Sequence, residues 1–261
     1  NSFHGRTIAT LKATAQEDKH KYFAPYPDGF VYANDINEAI NMIDDTTVGV
    51  MLELIQGEGG IFMQDIFQVQ RLERILKEKK LLLIIDEVQT GVYRSGNFLI
   101  SQYFGIKPDI VTLAKGLASG IPIGVMMTSL KDIFTFGDHG STFGGNHLST
   151  TVCKAVLKIL EKYSNSGKLG ENIKYFNSCL QYFTDKYPNI FLQKNGWGFM
   201  QGLVLKNEND LSNIVNLGLK NGVLVLKSGK NIIRFLPPII ISKKEIKEGF
   251  KRFEEGILDF K

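Results

Sequence analysis

The sequence predicts an α/β protein, with a mostly parallel sheet flanked by helices, followed by a smaller α+β domain at the carboxyl end. Three observations carry this. Four short apolar runs lack polar alternation, the mark of strands covered on both faces. A helical pattern separates the first two runs, and the pattern changes character after Gly145. Strands are expected over residues 48–55, 81–85, 110–113 and 124–128. Residues 65–80 place Ile66, Val69, Leu72, Ile75 and Leu76 at helical spacing with charges opposite, as a crossover helix requires. A long helix is expected over 147–163. The Ser164-Asn165-Ser166-Gly167 break then divides a large domain (residues 1–163) from a small one (164–261). The small domain reads as helix 170–187, strand 198–205, helix 211–221 and short strands at 223–226 and 232–236. A last helix begins at Ser242, where Glu245 completes a capping box, and carries Ile246, Phe250, Phe253 and Ile257 on one face.

Composition narrows the function. The chain has 261 residues, 43% hydrophobic and 22% charged, the balance of a globular protein with a substantial core. No run approaches the roughly 20 apolar residues of a membrane span. A net charge of +4 from 31 basic and 27 acidic residues gives no one-signed field, so small molecules are expected as partners, with no nucleic acid and no membrane. Cys153 and Cys179 cannot make a disulfide framework, which suits a reducing, cytoplasmic setting. The four histidines lack metal-ligand spacing, and no metal is expected.

Ligands of doubly wound folds gather at the carboxyl ends of strands, so those ends are where chemistry is sought. The run 81–85 leads into Asp86-Glu87-Val88-Gln89-Thr90-Gly91, delivering a carboxylate to the end of an apolar strand. By itself Asp86 also reads as a turn cap. The next strand runs into Lys115 within a loop of small residues, Ala114 to Gly120. Desolvation there favours a nucleophilic amine of the Schiff-base kind, while a lysine snorkelling at a loop edge fits the same pattern. Together the two are more specific than either alone. A carboxylate for a pyridinium and an amine for an aldehyde are what pyridoxal phosphate needs. Only six arginines occur, and Arg6 and Arg234 lie in glycine-rich or apolar surroundings that suit carboxylate recognition. Period-two alternation equally permits Arg234 to face outward from a strand. Ser141-Thr142-Phe143-Gly144-Gly145-Asn146 could offer donors to a phosphate, whereas the glycines of Gln56 to Gly60 do not keep dinucleotide-loop spacing.

Six motifs in order carry a family likeness: Phe3-His4-Gly5-Arg6-Thr7, Glu53 through Gly60, Asp86 through Gly91, Thr112 through Gly120, Ser141 through Asn146, and Arg234 through Pro238. Together they resemble the class III, ornithine-type, aminotransferases. Residues 3–11 and 222–226 look like the branch that acts on N-acetylornithine. The resemblance implies fold type I of the pyridoxal-phosphate transferases and a homodimer with shared active sites. The implied reaction moves the ω-amino group of N-acetylornithine to 2-oxoglutarate by ping-pong chemistry, a step of arginine biosynthesis. Ornithine, succinyldiaminopimelate or 4-aminobutyrate transamination, an aminomutase activity, and a non-catalytic scaffold are the alternatives.

By the same resemblance Lys115 bonds the cofactor aldehyde and Asp86 keeps the ring nitrogen protonated. Phe3 and Val88 cover the two ring faces, Gln89 approaches the ring hydroxyl, and Glu87 belongs to the same cofactor segment. Thr142 reaches the phosphate in the partner subunit, with Ser141 beside the substrate. Arg6 holds the carboxylate of acetylornithine or the distal carboxylate of glutamate, Arg234 clamps the α-carboxylate of glutamate, Glu58 gates Arg234, and Glu53 supports the site from behind. The family's Gly-Thr-Glu-Ala-Asn-type phosphate turn is upstream of where this chain starts, so an amino-terminal segment is expected to be missing.

Overall fold

The structure is a computed structural model and describes residues 1–260. The chain divides into two compact units. Unit 1 comprises residues 1–54, 64–92 and 97–159, and unit 2 comprises 55–63, 93–96 and 160–261. The single boundary near 163–164 therefore needs correction, because two short upstream segments belong to the second unit. These are a hairpin and a turn whose partners in unit 2 lie far along the chain, which no local sequence signal reveals.

Unit 1 begins with the short helices α1 (Ile8–Ala13), α2 (Glu17–His20) and α3 (Ile36–Asn41). Strand β1 (Gly49–Leu52) follows. The chain then enters unit 2 for the hairpin β2 (Ile55–Gln56) and β3 (Phe62–Met63) and returns with helix α4 (Ile66–Glu78). Asp65 caps α4 by accepting from the Gln68 N–H, and Val69, Leu72 and Leu76 form its buried face. The strand expected over 48–55 thus ends at Leu52, and Ile55 pairs with Met63 in a separate two-stranded sheet.

Strand β4 (Leu82–Asp86), helix α5 (Ile100–Phe104), strand β5 (Ile110–Leu113) and strand β6 (Val125–Thr128) complete the unit 1 sheet, in the order β1-β4-β5-β6. The β1–β4 and β4–β5 pairs are parallel, but β6 runs antiparallel to β5. A parallel return needs a crossover of a dozen or more residues, usually helical. Residues 114–124 hold only a 3-10 turn (Lys115–Ala118), so the chain reverses instead. Helix α6 (His147–Asn165) leads from unit 1 into unit 2.

Unit 2 continues with α7 (Lys168–Lys186), β7 (Phe191–Trp197), β8 (Met200–Leu205), α8 (Leu211–Lys220), β9 (Leu226–Ser228), β10 (Ile232–Phe235) and α9 (Lys243–Leu258). Its sheet has the order β7-β8-β10-β9 and is antiparallel throughout. The core is aromatic: the Phe183 ring lies 5.3 Å from Phe253, and Phe235 meets Phe253 edge-on at 5.2 Å. Burying each such side chain stabilises the unit by about 1.5–3 kcal/mol. The Ser242–Glu245 capping box forms as its sequence spacing predicts.

Candidate active site

Asp86 ends β4 and is 6% exposed. A charge so placed is costly unless hydrogen-bonded, and the surroundings meet that demand. Oδ1 accepts from the Val88 N–H at 2.9 Å and the Thr112 hydroxyl at 3.2 Å, and Oδ2 lies 2.9 Å from Nδ1 of His4. An ionised carboxylate only accepts, so Nδ1 is the donor. The His4 side chain is buried as deeply as its partner.

Residues around His4 are tied down in turn. The Phe3 N–H donates to Oε1 of buried Glu53 at 2.9 Å, and the His4 N–H donates to the Thr14 hydroxyl at 2.9 Å. The Arg6 guanidinium lies 5.4 Å from the centroid of the Phe3 ring. Phe3, His4, Glu53, Asp86, Val88 and Thr112 therefore form one connected group within unit 1.

Lys115 follows the adjacent strand. Asp86 and Thr112 are direct register partners across parallel β4 and β5, and Lys115 follows shortly after Thr112, beyond the end of β5. Neighbouring strands lie about 4.8 Å apart, so Asp86 and Lys115 are carried at the same end of the β4–β5 pair. Lys115 is exposed and has φ +47°, a left-handed conformation costing a lysine about 1–2 kcal/mol. Strain of this kind gathers at functional sites. Gly91 shapes the other side: a Cβ there would sit 2.6 Å from Cδ2 of Leu113 and 2.8 Å from the Glu87 carbonyl. Only glycine lets the turn after Asp86 fold back so closely.

In unit 2, Arg234 lies on β10, between β8 and β9, and is 7% exposed. The outward-facing alternative is thus overturned: the strand is central and covered on both faces. Nη1 donates to Oε1 of Glu58 at 2.7 Å and to the Gly57 carbonyl at 3.0 Å. Nε is buried with no hydrogen-bond partner among the described residues. Glu58 sits in the turn joining β2 to β3.

The family model for aminotransferase class-III matches residues 1–257. The chain belongs to this family. It is 51% identical over 257 residues to acetylornithine aminotransferase of Wolinella succinogenes, a match covering 98% of this chain and 65% of that relative. Ornithine aminotransferase of Toxoplasma gondii ME49 superposes with a TM-score of 0.91 at 29% identity, covering 100% of this chain and 63% of that one. A second structure of the Toxoplasma enzyme (TM-score 0.90, 27% identity, covering 99% of this chain and 62% of that one) reveals partial occupancy of pyridoxal phosphate at its active site. The chain thus spans just under two thirds of these relatives' length and has the class III fold, fold type I of the pyridoxal-phosphate transferases.

The residues present fit the cofactor that class III aminotransferases use. A carboxylate has about four acceptor directions. Three donors meet Asp86, so one direction remains for a protonated ring nitrogen. Glu87 does not fit a cofactor contact through its side chain. It is 0% exposed, and its carboxylate accepts from the Ile100 and Ser101 N–H groups at 2.8 and 2.9 Å, with the Thr90 hydroxyl at 3.3 Å. Burial pushes its pKa up against the opposing pull of those bonds. Glu87 therefore caps α5 and anchors the turn.

Val88 and Gln89 are half-buried on that turn. Ser141 and Thr142 lie in an exposed loop, where the Ser141 hydroxyl accepts from the Gly144 N–H at 3.1 Å, and no hydrogen bond joins them to the Asp86 group among the described residues. His4 and Thr112, which carry no expected role in the sequence, both contact Asp86. Both stand inside motifs of the family likeness, and their shared contact with Asp86 depends on the fold.

Proposed function

We propose that the protein is a pyridoxal-phosphate aminotransferase that moves the ω-amino group of N-acetylornithine to 2-oxoglutarate, yielding N-acetylglutamate semialdehyde and glutamate. The observation that supports this reading is that Asp86 ends β4 while Lys115 follows the end of the neighbouring parallel strand β5, where an acid and an amine suit the two ends of one heterocycle. The identity to acetylornithine aminotransferase supports the substrate.

When bound, the cofactor supplies an electron sink for the pair left as a proton departs the substrate carbon. Asp86 holds a proton on the ring nitrogen, and its three donors fix the carboxylate in place. Lys115 would bond the cofactor aldehyde, and its Nζ would carry the proton taken from the substrate carbon. Phe3 and Val88 would cover the cofactor ring and Gln89 would approach its hydroxyl, with Glu53 holding the Phe3 backbone.

Arg6 binds the carboxylate of acetylornithine or the distal carboxylate of glutamate. Arg234 receives the α-carboxylate of glutamate, and its unpartnered buried Nε suits a planar anion. Glu58 occupies Arg234 while the ω-amine is bound and releases it to the keto acid. Two copies share their sites, with Thr142 serving the partner's cofactor phosphate and Ser141 its substrate. The exposed rings of Phe134, Phe136 and Phe143 around that loop support a protein-covered surface. No helix among the described residues is long and apolar enough to cross a membrane, and a cytoplasmic enzyme fits this reading.

Turnover of N-acetylornithine, ornithine and 4-aminobutyrate by the full-length enzyme, each with 2-oxoglutarate, tests the assignment. N-Acetylornithine is expected to give the highest kcat/KM by at least about tenfold. A preference for ornithine would move the protein to the branch of its Toxoplasma structural neighbour.

A further inference from the structure

The turn that carries Glu58 is laced to the end of β9 by three hydrogen bonds. The Ser228 hydroxyl donates to the Gly57 carbonyl at 2.7 Å and accepts from the Gly60 N–H at 3.1 Å, and the Gly229 N–H donates to the Glu58 carbonyl at 3.1 Å. Ser228 is 3% exposed. Gly229 has φ +56°, and a Cβ on it would lie 3.2 Å from the Gly60 Cα, so the two backbones are in contact. The Gly57 carbonyl accepts from both Ser228 and Arg234. One small hydroxyl thus satisfies a carbonyl and an N–H on either side of Glu58, and shares an acceptor with the arginine that Glu58 meets.

We propose that Ser228 is a positioning residue for the Glu58–Arg234 pair: it holds the turn so that the Glu58 carboxylate meets Nη1 of Arg234, and so sets how readily Arg234 passes to a substrate carboxylate. This rests on Arg234 being the carboxylate-binding arginine of the proposed reaction. The hydroxyl acts through loop geometry and touches no substrate. Removing it takes from the buried Gly60 N–H its acceptor and from the Gly57 carbonyl one donor, Arg234 remaining on the latter, which loosens the turn. Glu58 then competes less well for Arg234. The ω-amine half-reaction, which needs Arg234 occupied, weakens, while the keto-acid half-reaction does not.

The test measures the two half-reactions separately in single turnovers of the full-length holoenzyme, with N-acetylornithine and with 2-oxoglutarate. Ser228→Ala, Ser228→Thr, Glu58→Gln and the Ser228→Ala/Glu58→Gln double variant are compared. Glutarate binding, read by calorimetry, provides an equilibrium measure without turnover. The ratio of amine to keto-acid kcat/KM is expected to fall about tenfold in Ser228→Ala and in Glu58→Gln, and no further in the double variant. Glutarate should bind Ser228→Ala more tightly, and Ser228→Thr, which keeps the hydroxyl, should stay near wild type in both measures. Equal losses in both half-reactions, or effects that add to those of Glu58→Gln, overturn the proposal by showing a merely structural serine. A ratio that moves in Glu58→Gln and not in Ser228→Ala refutes the role of Ser228 and leaves the gate standing. A ratio unmoved in Glu58→Gln refutes the gate and this proposal with it.

Discussion

His4 is the residue whose contact most changes the reading of the site. It donates to Asp86 from a side chain that is itself buried, so its loss leaves a buried carboxylate one donor short and less firmly held, at about 1–3 kcal/mol. Asparagine places its Nδ2 where the imidazole has Nδ1, whereas leucine fills the volume without a donor. His4→Leu is therefore expected to weaken pyridoxal-phosphate binding about tenfold, and His4→Asn to retain most of the affinity, as measured by titrating the cofactor absorbance. At this scale the strand-end positions of Asp86 and Lys115 were legible from apolar runs that stop at a charge. The His4 contact was not, because 82 residues separate the pair and no local pattern encodes it. Glu87 misled for the reverse reason: its place beside Asp86 suggested the cofactor, while its carboxylate turns to the first N–H groups of α5.

Among the elements, helices were the most legible because periodicity and capping are local. Strands depend on partners. The strand expected over 223–226 forms only over Leu226–Ser228, since the Val223 N–H donates back to the Gly218 carbonyl and closes α8 first. Strand β7 went unread because Gln193, Lys194, Asn195 and Gly196 look like a loop until β8 pairs with them.

Helices α7 and α9 are joined by Glu254, whose Oε1 accepts from Lys186 at 2.8 Å, Tyr182 at 2.9 Å and Tyr187, just beyond the end of α7, at 2.7 Å. Burial pushes its carboxyl up, yet the three donors outweigh burial and hold its pKa below the usual value. A carboxyl depressed in the folded state stabilises it above the unfolded pKa, and that contribution disappears as pH falls through the folded one. Glu254→Gln should thus lower stability at pH 7 by about 1 kcal/mol or less after solvent screening. The gap between variant and wild type should narrow once pH falls below the unfolded glutamate pKa of about 4.3 and close below the depressed folded one, read from urea midpoints across pH.

For the whole molecule, the α/β class and the mostly parallel sheet could be anticipated, but the antiparallel β6 and the interleaved units could not. Unit 2 draws in residues 55–63 and 93–96, and nothing in their composition marks them as foreign to the first unit. Each unit has its own buried residues, and those of unit 2 include a cluster of phenylalanines. Phe183 is 1% exposed and meets Phe191, Phe250 and Phe253 within 6.1 Å. Phe183→Ala is expected to cost about 3–5 kcal/mol, visible as a lower urea midpoint.

Whether Asp86 and Lys115 grip one cofactor is decided by reducing the full-length protein with borohydride in the presence of pyridoxal phosphate and mapping the labelled peptide. A stable pyridoxyl group is expected on Lys115. Label confined to another of the chain's lysines would refute the pairing.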